Sequence, residues 1–404
     1  LGKGKWVFGG TAEGGSALWK PLILVAVLAA VLVGCGGGGG SREDEPIKIG
    51  VILPYSGVYA QLGEDITDGM KLYFEQQGNE IAGRPVELIT EDTEANPQVG
   101  VQAARRLIEQ EGIAVLTGAV ATPVAYGVID ITQRDNIPFV VSNATGNDVT
   151  RQGAENVFRV SVSSYQVSSP MGEYLVEQGT KRIVVSAADY AAGHEMAAGF
   201  MEGFTRAGGE VVDEVYAPLG TNDYSSFLTR IRQADPQGVW TFYAGSDAVR
   251  FVQQYSKFGV EAPLYGTGYL ADQDTLPAQK EAAIGIRTSL HYSSDLDNPE
   301  NREFKSSFRE AYDRQPSVYA VQGWDAAWLI GEAIKATDGD TEDKDALIQA
   351  MEDVEFQSPR GPMTLDENHN PVQNIYIREV RRLDDGTIGN VVVDTIEDVR
   401  DPGE

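Results

Sequence analysis

Apolar and polar positions follow one repeating order through most of the chain. Ile47–Leu53 is a β-rich run closed by Pro54, and the loop Pro54–Tyr59 leads into an amphipathic pattern from about Gly63 to Gln77. Val86–Thr90, Ile113–Leu116 and Phe139–Val141 predict further strands, while Asn96-Pro97 opens a helix reaching about Glu111. The order restarts with a strand at Arg182–Ala187, a helix through Phe204, a strand at Val211–Tyr216 and a helix from about Tyr224 to Gln233. Val239–Tyr243, Pro263–Gly266 and Ile286–Leu290 read as strands, and long helical patterns cover about Pro299–Asp313 and Ser317–Thr337. The tail from Gly361 to Val393 alternates in strand fashion around Asp384-Asp385-Gly386, a hairpin turn. Strands alternating with helices predict mostly parallel sheets, and two such series predict an α/β chain of two doubly wound, Rossmann-like lobes.

Sheets of this kind bind ligands beyond the carboxyl ends of their strands. In the first series those ends carry Tyr55, Ser56 and Tyr59, then Ala119–Thr122, then Ser142, Asn143, Ala144 and Thr145. In the second they carry Asp189 and Tyr190, Ser246 and Asp247, Gly268 and Tyr269, and His291 and Tyr292. The stretch Ile113–Ala125 is the most informative. Gly118 breaks a short apolar strand, and Thr122-Pro123 has the chemistry of a hydroxyl cap followed by proline at the first helical position. Such a turn leaves backbone N–H groups unpaired at the positive end of a helix dipole, where a carboxylate docks without a cationic side chain. Tyr55, Tyr59, Tyr190, Tyr269 and Tyr292 can stack on a planar ligand and offer hydroxyls to it, or pack between the lobes. Asp189 suits an Asx turn as well as a ligand contact, His291 suits hinge packing as well as cleft lining, and Trp324 reads as core.

Charge and the N-terminal composition narrow the class. The formal charge of −28 argues against nucleic acid, whose phosphates need basic partners. Leu22–Val33 is an apolar run of 12 residues behind Lys3, Lys5 and Lys20. A spanning helix needs about 20 such residues, so residues 1–34 read as a signal peptide rather than an anchor. Losing them takes three lysines and Glu13, and moves the charge to −30. Leu32-Val33-Gly34-Cys35 resembles the bacterial lipobox, whose cysteine carries lipid; Cys35 is the single cysteine of the chain. Residues 35–45, with Gly36–Gly40 and a charged stretch, form a flexible tether. The expected location is outside the cell membrane, lipid-anchored to its outer face or periplasmic.

The constellations of common enzymes are missing. His194-Glu195 begins like a zinc-protease helix, but the second histidine position holds Ala198. Three histidines and one cysteine cannot supply a thiolate or histidine-rich metal cage, and there is no phosphate loop, nucleophile elbow or dinucleotide fingerprint. No catalytic residue, metal or cofactor is expected.

Several segments carry a family resemblance: Pro54-Tyr55-Ser56-Gly57-Val58-Tyr59-Ala60, Tyr190-Ala191-Ala192-Gly193-His194-Glu195, Phe242-Tyr243-Ala244-Gly245, His291-Tyr292, Val318-Tyr319-Ala320-Val321-Gln322-Gly323 and Ser358-Pro359-Arg360-Gly361-Pro362. With the lipobox and paired lobes, the chain resembles the type I periplasmic binding proteins of ABC importers, the leucine/isoleucine/valine-binding superfamily, over Ile47–Val393. The segments look like a branch associated with uptake of aromatic acids such as benzoate derivatives. The resemblance implies one lobe from residues 46–162 and 293–360, another from 163–292 and 361–404, and a hinge of three crossings. It implies a ligand carboxylate held at Ala121, Thr122, Asn143, Ala144, Thr145 and Tyr190, and a membrane permease as partner. Relatives that bind amino acids place an acidic residue against the ammonium, and Gly268 stands at that position here. Unless Asp189, Asp247 or Asp272 turns inward in its place, that departure favours an aromatic acid over a branched-chain or other apolar amino acid, the alternative ligand; sensing through a membrane receptor is the alternative role.

Overall fold

A computed structural model describes residues 45–403; the predicted leader, Cys35 and the glycine tether lie outside the described residues. The first lobe is a sheet in the order β2-β3-β1-β4-β5-β6. Its strands are β1 (Ile47–Leu53), β2 (Glu80–Ile81), β3 (Arg84–Asp92), β4 (Val115–Gly118), β5 (Phe139–Val141) and β6 (Val157–Arg159), parallel except for β2. Between them run α1 (Ala60–Gln76), α2 (Pro97–Arg106, continued as a π turn to Glu111) and α3 (Thr122–Arg134). Asn96 caps α2 as expected, its side chain accepting from the Gln98 amide at 2.9 Å.

The chain then crosses to a second sheet, in the order β12-β13-β11-β10-β9-β7-β8 with β14 beside β13. Here α4 (Ser164–Glu177) precedes β7 (Arg182–Ala188), α5 (Ala191–Arg206), β8 (Glu210–Ala217), α6 (Ser225–Gln233), β9 (Gly238–Phe242), α7 (Gly245–Phe258), β10 (Leu264–Thr267), α8 (Leu276–Gln279) and β11 (Arg287–Leu290). A second crossing returns the chain to the first lobe for α9 (Pro299–Tyr312), α10 (Val318–Ala336) and α11 (Lys344–Glu352). A third carries it back to β12 (Met363–Leu365), β13 (Pro371–Arg382) and β14 (Ile388–Val399), the antiparallel edge.

Two local readings are corrected. The strand expected at Ile113–Leu116 begins two residues later, and Gly118 is its last residue rather than its break. Gly118 holds φ +120°, with a would-be Cβ 2.3 Å from the Ile52 carbonyl, so only glycine lets β4 lie this close to β1. Thr122 is not the cap of α3. Ala121 occupies that position without a side-chain bond, Thr122 is the first helical residue, and its hydroxyl accepts the Gly146 amide at 3.1 Å instead.

Helix α10 is buried on nearly every face, its mostly apolar pattern carrying the buried polar residues Gln322 and Asp325. It crosses α1 almost backbone to backbone: a Cβ on Gly323 would stand 1.9 Å from the Ile66 carbonyl, and one on Gly69 the same distance from the Ala320 carbonyl. Gly323→Ala should therefore force the helices apart and lower stability by about 1–3 kcal/mol, read by urea denaturation. An unchanged midpoint would contradict the close crossing.

Buried arginines stitch the crossings. Arg360 donates to the Ser161 carbonyl at 3.3 Å and to the Val160 carbonyl, and pairs with Asp325 at 3.1 Å. Arg378 binds the Tyr292 carbonyl and Asp272, both at 2.9 Å, and the Gly268 carbonyl at 3.1 Å. Arg360 thus ties the first and third crossings to α10, and Arg378 ties β13 to the carboxyl ends of β10 and β11.

Candidate functional site

The two lobes are closed on one another. A Cβ on Gly245, at the start of α7, would lie 2.5 Å from the Val58 carbonyl of the other lobe. Glu195 on α5 reaches across to accept the Tyr126 hydroxyl at 3.0 Å and the Asn147 amide. Burial lifts the Glu195 carboxyl above its usual range, although both donors stabilise the charged form. Charge-assisted bonds of this kind contribute about 1.5–3 kcal/mol each before desolvation is subtracted. Because they form only in the closed state, Glu195→Ala should weaken ligand affinity about tenfold, through faster dissociation in stopped-flow measurements. Unaltered dissociation would mean that Glu195 is not a latch.

Enclosed between the lobes is a continuous aromatic group. Tyr190 stacks on Phe242 with centroids 6.2 Å apart, Phe242 meets Tyr269 edge-on at 6.3 Å, and Tyr269 stacks on Tyr319 at 5.9 Å. The Tyr59 hydroxyl engages that of Tyr190 from the first lobe. Burial pushes the Tyr190 phenol up to about 12 and those of Tyr59, Tyr269 and Tyr319 further above their usual value. All four are therefore neutral at ordinary pH; the Tyr59–Tyr190 pair spends one of its two protons on itself, while Tyr269 and Tyr319 each keep one to donate to an anion.

A polar line runs alongside. Asn143 Nδ2 donates to Gln322 Oε1 at 2.7 Å, and Gln322 Nε2 faces His291 Nε2 at 3.2 Å. The Tyr269 hydroxyl lies near the Gln322 amide without hydrogen-bond geometry. Ser142 Oγ, Tyr269 Oη, Tyr319 Oη and His291 Nδ1 are buried with no protein partner among the described residues. Unmatched groups of this kind cost about 1–3 kcal/mol each unless a ligand or water meets them.

At the end of this line lies the α3 turn. Its first intrahelical bonds run from Val124 and Ala125 to the Ala121 carbonyl, and Pro123 has no N–H, so the Thr122 amide is the first-turn donor left at the positive end of the helix. Thr122 is fully buried and keeps its hydroxyl proton to donate, since its oxygen accepts from Gly146. The neighbouring loop is pinned by the Ala144 amide on the Ala119 carbonyl at 2.9 Å and by Ser164 on Thr145. Beneath it the buried Arg159 donates to the Gly146 carbonyl at 2.7 Å and adds positive potential.

Of the residues singled out in the sequence, the fold gathers Tyr59, Ala121, Thr122, Asn143, Ala144, Thr145, Tyr190, Gly268 and Tyr269. Ser246 sits partly buried in the first turn of α7. Others are engaged elsewhere. Tyr55 spends its hydroxyl on Thr67 at 2.8 Å and its amide on Asp92, and exposed Ser56 also turns to Asp92. Tyr292 donates to Asn301 at 3.0 Å, away from the aromatic group. Phe242, Tyr319, Gln322 and Glu195 join this group although sequence reasoning gave them no role; all four stand in the quoted segments that carry the family resemblance.

Three of the aspartates near the strand ends are engaged with the fold, whereas Asp274, close to Tyr319, has a buried Oδ1 without a protein partner among the described residues. A Cβ on Gly268 would lie 2.4 Å from the Arg378 guanidinium, so glycine is required there. Asp272 is held by Arg378 and the Val318 amide, Asp247 by Arg250 and the Gly220 amide, and exposed Asp189 by His194. The wide surface hollows, such as one of about 820 Å³ lined by Trp328, Glu332 and Glu355, lie away from this chemistry.

Two α/β lobes closed over a buried polar and aromatic seam, joined by three crossings, define a clamp for a small solute. The chain belongs to the periplasmic binding protein family, whose model matches residues 46–387, and it has the type I fold. A Leu/Ile/Val-binding protein homolog of Brucella melitensis is 34% identical over 365 residues, 88% of this chain and 93% of the relative. A solute-binding protein of an ABC transporter from R. palustris, solved with benzoate, is 39% identical at a TM-score of 0.83, covering 87% of this chain and 98% of its own. Another from Rhodopseudomonas palustris BisB5, solved with 3,4-dihydroxybenzoic acid, is 32% identical at a TM-score of 0.85, covering 90% and 99%.

Proposed function

We propose that this protein is the exported, lipid-anchored solute receptor of an ABC importer, and that it closes its lobes on a small aromatic carboxylate and delivers it to a permease. The lobes comprise residues 46–162 with 293–360 and residues 163–292 with 361–404, and Cys35 carries the lipid. The work is capture by hinge closure, without chemistry on the ligand. One observation carries the reading: a buried aromatic seam runs from Tyr190 to Tyr319 beside the α3 turn, with Gly268 packed under Arg378 where an ammonium would need an acid. An ammonium buried without a partner is costly, whereas a benzoate places its carboxylate on the Thr122 amide and hydroxyl and its ring among the tyrosines. The relatives that bind benzoates support the same ligand class.

The competing ligand is a branched-chain amino acid, favoured by the name of the Brucella relative. Thermal-shift assays with benzoate, 4-hydroxybenzoate, phenylacetate, leucine and valine separate the two, because a ligand that binds only the folded state raises its melting temperature by mass action. Stabilisation by the aromatic acids alone is expected. Stabilisation by leucine or valine alone would overturn the assignment.

A further inference from the structure

We infer that His291 is a specificity-determining residue, whose Nδ1–H donates a hydrogen bond to a second oxygen on the ligand, a ring hydroxyl apart from the carboxylate at α3. The inference rests on the aromatic-acid reading and narrows it, from aromatic acids in general to hydroxylated ones.

His291 follows the last residue of β11 and is 1% exposed. Asn143 fixes the orientation of Gln322 by donating to its Oε1, which turns the Gln322 Nε2 amide toward His291 Nε2. A nitrogen facing a donor must accept, so the imidazole proton stands on Nδ1. That Nδ1 is buried and has no protein acceptor among the described residues. Burial, reinforced by the Arg360 and Arg378 charges, keeps the ring neutral, so it remains a donor of one fixed tautomer. The hydroxyls of Tyr269 and Tyr319, which stack on each other, are also buried without partners. The carboxylate end is provided for separately: Asn143 stands between Gln322 and the α3 loop, where the Ala144 amide binds the Ala119 carbonyl. A ligand with one polar end would leave the His291 donor and its neighbours buried and unmatched. A hydroxybenzoate offers an oxygen to accept from His291 and a proton for a tyrosine hydroxyl, and sites built to bond a hydroxyl reject analogues lacking it.

The test combines calorimetry with 15N NMR on histidine-labelled protein. The chain has three histidines, so His291 is assigned by its loss in His291→Gln. Wild-type protein should bind 4-hydroxybenzoate or 3-hydroxybenzoate about tenfold or more tightly than benzoate. His291→Leu should weaken the hydroxybenzoates at least about tenfold more than benzoate, removing that preference, and His291→Gln, which keeps a donor, should restore part of it. In the NMR spectrum His291 should be the Nδ1–H tautomer, with a proton shift on adding a hydroxybenzoate that benzoate does not produce. An Nε2–H tautomer, or equal loss of all three ligands in His291→Leu, would overturn the inference; if that variant fails to fold, the wild-type spectrum decides alone. If benzoate binds and the hydroxybenzoates bind no better, the inference fails and the functional reading stands. If no aromatic acid binds wild-type protein, the functional reading itself fails and takes this one with it.

Discussion

Replacing Arg360 by methionine should lower the stability of the protein by about 3–5 kcal/mol, because it leaves the Asp325 carboxylate buried without its cation. Both side chains are 1% exposed, and their 3.1 Å contact is an ion pair off the axis of a good hydrogen bond. Burial raises Asp325 to about 6 and lowers Arg360, so each is pushed toward its neutral form despite the attraction between them. Desolvation thus outweighs pairing, and the pair serves geometry more than stability. Replacing both, Asp325→Leu with Arg360→Met, should cost far less than Arg360→Met alone, though it also removes the ties to Val160 and Ser161. The pH dependence has a definite sign. Asp325 is raised in the folded state, so its ionised form costs stability above about pH 6, and that cost is recovered as pH falls from 6 toward the ordinary carboxyl range. Urea denaturation at pH 5 and pH 7.5 should show the Asp325 contribution in wild type and its absence in the double variant. A neutral Arg360→Met would mean that the crossings do not depend on this contact.

The second large effect is on binding. Thr122→Val keeps the volume of the side chain but removes the hydroxyl that accepts from Gly146 and retains a proton for the ligand. Tyr190→Ala removes the ring that stacks on Phe242 and the hydroxyl that meets Tyr59. Losing a buried hydrogen bond to a carboxylate costs about 1.5–3 kcal/mol, so Thr122→Val should raise Kd about 10- to 100-fold. Losing the ring should raise it about 30-fold or more, since buried aromatic anchors contribute about 2 kcal/mol and upward. Calorimetric titration checks both, and circular dichroism should show either variant folded. Affinity unchanged in Thr122→Val would move the carboxylate away from α3.

Much of this architecture was legible in the chain. β1 and β5 match their apolar runs residue for residue, and Asn96-Pro97 reads directly as the cap and first turn of α2. Other elements were hidden for physical reasons. Helix α4 is serine-rich, contains Pro170 and is buried on most faces between α5 and strands β10, β11 and β13, so it shows no amphipathic stripe; its capping box at Ser163 and Gln166 was the available signal. The run beginning at Ile113 precedes its strand because Ile113 packs against Gly50 and the Ala114 amide binds Lys48.

The site was legible at the strand ends and opaque in the helices. Tyr59, Thr122, Asn143, Tyr190 and Tyr269 follow from the rule that ligands sit at those ends. Gln322 and Tyr319 lie in the apolar pattern of α10, where a polar or aromatic residue reads as core. Gly268 could be noticed as the absence of an acid, but its cause is Arg378, 110 residues further along the chain. Tyr55 and Tyr292 occupy strand ends as well, and only their partners, Thr67 and Asn301, show that their hydroxyls are committed to the fold.

The most direct test of the central claim is calorimetric titration of the wild-type protein with benzoate, 4-hydroxybenzoate and leucine under one buffer condition. Saturable, one-to-one binding of the aromatic acids with a negative heat-capacity change, and none of leucine, is the predicted result. Binding of leucine but of neither aromatic acid would contradict it, and would require a carboxylate to face an ammonium in a seam where Gly268 lies against Arg378.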